Sequence, residues 1–158
     1  MQVARGEIIV NADTVDLTRG GQLLTTASSS GQAGDITVNA SDRLRIAGSD
    51  PIFAARLEQF GSPIVNPVNA ASGLFTNTEV NSSGVGGAIA LTTGSLSLLD
   101  GGRLVSSTAG RGDAGDITVN FSNLHLFGAS SGLFTQTATA ADAGNLTIQS
   151  QGNSQPPS

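Results

Sequence analysis

The sequence predicts an all-β chain, a single-stranded right-handed parallel β-helix of about four and a half coils of ~28 residues, with three short strands in each coil. Three observations predict it. The heptad AGDITVN stands at Ala33–Asn39 and again at Ala114–Asn120. The pattern around it recurs with glycine at Gly6, Gly34, Gly87, Gly115 and Gly144, which are 28, 53, 28 and 29 residues apart. Each unit is filled by short runs of apolar–polar alternation, the period of a strand with one buried face. The 53-residue spacing reads as one unit carrying about 25 extra residues, which makes the two heptads the same strand of the second and fourth units. Periodicity alone does not fix the handedness, which is expected from the right-handed preference of parallel β crossovers and from analogy with this fold.

The first strand of each unit is a glycine, a polar or small residue, two aliphatics separated by one residue, and usually an amide. Stacked as parallel neighbours about 4.8 Å apart, these strands place Ile8, Ile36, Ile89, Ile117 and Leu146 in one buried ladder beneath the column Gly6, Gly34, Gly87, Gly115 and Gly144. Asn11, Asn39, Thr92, Asn120 and Gln149 then stack at the bend that follows. A second strand carries Val15/Leu17, Leu44/Ile46, Leu96/Leu98 and Leu124/Leu126, and a third, after a glycine-bearing turn, starts at Leu23, Leu74, Leu104 and Leu133. Glycine, Asn, Asp and Ser punctuate the runs and supply the tight turns. The coils are expected at about 6–33, 34–86, 87–114, 115–143 and 144–149, within one repeat segment spanning 1–149, and 150–158 is expected to be a disordered tail.

The one departure is the insertion 49–72, where Phe53, Leu57 and Phe60 after Pro51 predict a short amphipathic helix. Loops on such a scaffold are where ligand sites usually sit; a tolerated insertion whose apolar stripe lies against the stack is the simpler reading. Neither Met1–Arg5 nor Ser150–Ser158 has a pattern able to cap an open stack, so the ends are expected to be poorly ordered or to join further copies of the chain.

Composition excludes several classes. Seven arginines, no lysine and 12 acidic residues give a net charge of -5, the wrong sign for a nucleic-acid surface. With no cysteine there is neither a disulfide framework nor a thiolate metal site. No apolar run is long enough for a transmembrane helix, and the start shows no signal peptide.

Several individual residues are candidates for recognition or chemistry. Arg111-Gly112-Asp113 spells a tripeptide that some adhesins present to integrins, and it is also an ordinary glycine-rich turn between units. Thr76, Thr78, Thr135 and Thr137 are expected on the outer face of the third strand, where a regular threonine array can order water, although the other units break the array. Catalysis is not expected, and neither a cofactor nor a metal is called for. Asp35 and Asp116 are equivalent but separated by the unit bearing Ala88, Asp100 sits in a DGG turn, and His125 stands alone between Leu124 and Leu126. No paired carboxylates or nucleophile–base set can be drawn.

The stretches AGDITVNASDRLRIAG, SGLFTNTEVNSSGVGGAIALTTGSLSLLDGGRLVSSTAGRGDAGDITVN and SGLFTQTATAADAGNLTI resemble the repeats of filamentous-haemagglutinin-like exoproteins, particularly the cyanobacterial type. The resemblance covers roughly residues 6–149. It implies a passenger of two-partner secretion, exported through an outer-membrane transporter to the cell surface or medium, with a structural and adhesive role toward glycans or surface proteins. The family's secretion domain has no counterpart here. The alternative reading is a carbohydrate-active β-helix enzyme of the polysaccharide lyase or glycoside hydrolase type, since those chemistries use the same fold.

Overall fold

The computed structural model describes residues 6–61 and 70–152, and the following statements concern those residues. In chain order the elements are β1 (Ile8–Thr18), β2 (Gln22–Ala27), β3 (Ile36–Ala47), the helix α1 (Phe53–Phe60), β4 (Gly73–Thr78), β5 (Ile89–Leu99), β6 (Arg103–Thr108), β7 (Ile117–Phe127), β8 (Gly132–Thr137) and β9 (Leu146–Ser150). The chain passes alternately through two sheets. The long strands form one in the order β1-β3-β5-β7-β9, and the short strands form the other in the order β2-β4-β6-β8. All pairings within both sheets are parallel.

The register joins equivalent positions of successive repeats. Ile8 pairs with Ile36, Ile36 with Ile89, Ile89 with Ile117, and Ile117 with Leu146. Farther along the same strands run Leu17, Ile46, Leu98 and Leu126. In the short sheet Leu23, Leu74, Leu104 and Leu133 form the corresponding column. The side chains of Ile36, Leu44, Ile46, Leu74, Ile89, Leu96, Leu98, Leu104 and Ile117 are fully buried and pack as one core between the sheets. Each such burial contributes on the order of 1.5–3 kcal/mol.

The structure corrects the expectation of three strands per repeat. The first and second runs are one continuous strand of 11 or 12 residues, so each complete repeat supplies two strands. The links Asn11-Ala12-Asp13 and Asn39-Ala40-Ser41-Asp42 contain no glycine, and the same strands resume pairing beyond one irregularity in register. The extra residue of β3 is absorbed as a bulge between Ala40 and Arg43, which displaces the register against β1 on one side and β5 on the other. Where β5 passes that bulge it carries Gly94, on which a Cβ would approach the Asp42 carbonyl oxygen to 2.8 Å.

The turns from long to short strand use left-handed backbone. Arg19-Gly20 and Asp100-Gly101 both have positive φ, 54° and 87° in the first and 50° and 95° in the second. The segments leading from a short strand to the next long one hold no strand. They are tied across repeats by single backbone bonds, such as Ala33 N–H to Val85 O at 3.0 Å and Gly86 N–H to Asp113 O at 2.8 Å.

The insertion leaves and returns at one point. An antiparallel bridge between Ser49 and Ala71 closes its neck, with Asp50 N–H donating to Ala70 O and Ser72 N–H to Gly48 O. α1 lies within it, held at its start by Arg56, whose guanidinium is 2.7 Å from the Asp50 carboxylate. The expected apolar stripe is not covered by the stack: α1 has no buried residue, Phe53 and Leu57 are half-buried, and Phe60 is exposed. Residues 62–69 of the insertion, 1–5 and 153–158 lie outside the described residues, so the expected tail is described only to Gly152. Its first residue belongs to β9, and the Gln151 N–H donates to Phe121 O.

Candidate functional site

The amide column and its neighbours line a groove of about 590 Å³ across the long sheet. One wall is built by Asn11, Asn39 and Thr92, which share a register; Asn120 and Gln149 continue their column. The other is built two residues farther along each strand by Asp13, Ser41 and Gly94, followed by Ser122 and Gln151. Between the walls Ala40 and Thr93 turn inward and are buried, so the floor is backbone and small side chains. Strand alternation dictates this arrangement: residues at i and i+2 face outward together while i+1 enters the core.

The walls are organised by hydrogen bonds between repeats. The Asn39 side-chain amide donates to the Asn11 side-chain oxygen at 2.8 Å, and the Ser41 hydroxyl donates to the Asp13 carboxylate at 2.8 Å. Beyond the second wall, Arg43 and Asp16 form an exposed ion pair at 3.4 Å, which contributes little to stability. The groove therefore offers amide and hydroxyl donors and acceptors with one carboxylate. This chemistry hydrogen-bonds polyhydroxylated ligands and holds no second carboxylate to work beside Asp13.

A second cleft is lined by Asp113, Asp116, Asp142 and Asn145. Two of its carboxylates are engaged with backbone. Asp116 accepts the Asn145 N–H at 2.7 Å, and Asp113 accepts the Asp142 N–H at 2.9 Å. Asp35 does the same for the Ala88 N–H at 2.8 Å. Each acid reaches along the stack to the equivalent backbone position of the following repeat. Among the described residues, no group of three or more His, Asp or Glu side chains is placed to hold a metal ion.

The residues singled out by sequence fall as follows. Arg111 and Asp113 are exposed, but Gly112 is wedged against the Gly84 carbonyl and Asp113 is tied to Asp142, so the tripeptide is part of the stack and not a free loop. The threonine array is corrected. Thr76 and Thr78 are 0% and 3% exposed, because they share the inward face of β4 with Leu74 while Phe75 takes the other face beside Ala71 and Val105. Thr135 is half-buried and Thr137 is exposed. Within the stack the Thr78 and Thr108 hydroxyls bond to each other at 2.6 Å, and Thr108 donates to Gly112 O. His125 is exposed on β7.

Sequence reading missed the second wall of the groove. Its signal was present as a polar or small residue two positions after each member of the amide column: Asp13, Ser41, Gly94, Ser122 and Gln151. No family model, curated protein or solved structure matches this chain. No described helix is long and apolar enough to cross a membrane.

Proposed function

We propose that the chain is a structural and adhesive segment of a secreted or cell-surface exoprotein of the filamentous-haemagglutinin-like kind. On this reading its repeats are coils of a right-handed single-stranded β-helix, about four and a half of them at ~28 residues each. The rod stiffens the protein and its outer faces bind glycans or surface proteins, and an outer-membrane transporter carries the exoprotein outward.

One observation carries the reading. The polar groove runs continuously across the repeats, so equivalent amides and hydroxyls meet a ligand at strand spacing along the stack. A polysaccharide laid along that direction meets an amide or hydroxyl of the first wall at each step and, except at Gly94, a polar side chain of the second. The engagement of Asp35, Asp113 and Asp116 by backbone N–H groups supports a binding role over the lyase or hydrolase alternative, which needs carboxylates available to substrate.

The test is retention of the purified protein on a panel of immobilised polysaccharides, with soluble sugar release followed in parallel. Retention without release is expected, and the double variant Asn39→Ala/Ser41→Ala, which removes one rung from each wall, is expected to lose it at least tenfold. Failure to retain on any member of the panel refutes the glycan role, and sugar release restores the enzyme.

A further inference from the structure

The bend of the long sheet interrupts its ladder. Ala40 pairs with Thr93 and pairing resumes at Arg43 with Ser95, so two residues, Ser41 and Asp42, stand against the single residue Gly94. Gly94 is half-exposed on the second wall of the groove. A Cβ built on it would lie 2.8 Å from the Asp42 carbonyl oxygen and 3.2 Å from that of Ser41. Both oxygens therefore converge on the space beside Gly94 that a side chain would take. Each has two lone pairs, so one bond within the sheet leaves capacity for a ligand. The side chains of the walls are also smallest here, Thr92 and Gly94, against Asn39 and Ser41 in the preceding layer. Ala40 and Thr93 close the floor, and the Thr93 hydroxyl is committed to Ser95 O at 3.3 Å.

We propose that this cradle is the specificity subsite of the groove and that it takes a protonated amino group, which makes the ligand a polysaccharide of unacylated amino sugars. The inference rests on the glycan-binding reading and narrows it. An ammonium group has three N–H donors and no acceptor, so it serves both carbonyl oxygens and keeps one donor over, whereas a hydroxyl has a single hydrogen to give. Hydrogen bonds from an ionised donor are also the stronger ones. The charge of the groove agrees. Among the described residues that line it, Asp13 is the one charged side chain. It stands on the same wall and is joined to the cradle through the Ser41 hydroxyl, which donates to it at 2.8 Å. Arg43, one residue beyond the bulge, is held by Asp16. A uronate or sulfated chain thus meets a carboxylate with no lining cation to balance it, and an ammonium group meets the opposite charge.

Glycine at position 94 has a structural cause as well, and the two are one feature. The bulge brings the backbone of β3 so close to β5 that no side chain fits at 94, and the same exclusion leaves the carbonyl pair open to the groove. The equivalent positions Asp13, Ser41 and Ser122 carry side chains, so the cradle does not recur at those rungs. Selectivity is concentrated at one sugar residue, and the neighbouring rungs hold the chain by neutral hydrogen bonds.

The test titrates the full chain with oligomers of glucosamine, N-acetylglucosamine and glucose that share linkage and length, and with an oligouronate. The glucosamine oligomer is expected to bind about tenfold more tightly than the N-acetylglucosamine and glucose oligomers, and the uronate more weakly than any of them. Asp13→Asn, at an exposed position, is expected to remove most of that preference. Glu58→Gln, the same loss of charge on the exposed side of α1, is expected to leave it intact. Gly94→Ala fills the cradle and is expected to abolish the preference, with its fold checked by far-ultraviolet spectrum; where that backbone shifts, Asp13→Asn still decides. Equal binding of the glucosamine and glucose oligomers overturns the inference and leaves the adhesive reading in place. So does preferential binding of the uronate, an equal loss in Asp13→Asn and Glu58→Gln, or a folded Gly94→Ala protein with its preference unchanged. Absence of binding to every oligomer removes both.

Discussion

A Cβ placed on Gly115 would overlap the carbonyl oxygen of Gly87, and the same holds of Gly87 against Gly34 and of Gly144 against Gly115. The column is glycine because each backbone carbonyl occupies the space a side chain would need, a requirement of close approach between successive repeats. Gly112 meets Gly84 in the same manner, which makes a second, parallel column beside the first. The obstruction is backbone, held by the register on both sides, so relief means separating two layers. Gly115→Ala is therefore expected to cost about 3 kcal/mol, at the upper end of overpacking effects. Gly6 supplies the control within the same column. It lies at the open end, where a Cβ meets nothing within 4 Å, and Gly6→Ala is expected to change stability by less than about 0.5 kcal/mol. Urea unfolding of the two variants checks both values, and equal effects would mean that contact between layers is not what selects glycine.

At the scale of the strand, the repeat made the register legible. Positions equivalent by the ~28-residue phase are neighbours in the sheet, as in the pairing of Ile36 with Ile89 across the 53-residue interval. Face and continuity were harder to read. Nothing between Val10 and Val15 breaks the chain, and a bend without glycine looks from sequence like two strands separated by a polar turn; the bulge that lets β3 bend is visible only as one residue more than its neighbours. Leu74-Phe75 and Leu133-Phe134 place two apolar residues side by side, so alternation alone cannot say which enters the core. Thr76 and Thr78 on the outer face would require Phe75 inside, whereas the structure turns Leu74 inward and buries Phe75 on the opposite face. That choice carries Thr76 inside, where its hydroxyl is buried with no hydrogen-bond partner. The groove was obscured by the same ambiguity, since its walls depend on which residues of Asn39-Ala40-Ser41 face out. Thr76→Val removes the unbonded hydroxyl at nearly constant shape and is expected to stabilise the protein by about 1–2 kcal/mol. A rise in thermal midpoint checks this; no change, or a loss, would mean that the hydroxyl has found a partner in solution.

Across the whole molecule, cohesion is carried by contacts between neighbouring layers, so stability is expected to vary along the stack. The inward side chains of β3 and β5 are fully buried because a layer lies on each side of them. In β1 the same positions are half-buried, and in β9 they are exposed, since each terminal strand has a single neighbour. Opening β9 breaks one short pairing of five residues and uncovers little surface that is not already wet, whereas opening β5 separates two full-length interfaces and divides the core. Local opening free energies should accordingly run from near zero at β9 to the global value, about 5–15 kcal/mol for a domain of this kind, at β5. Native-state amide exchange reads this directly. On dilute protein, amides of β5 such as Leu96 and Leu98 are expected to exchange only with global unfolding, those of β1 at an intermediate rate, and those of β9 and Gln151 first. Uniform protection from β1 to β9 would show that the stack unfolds as one unit.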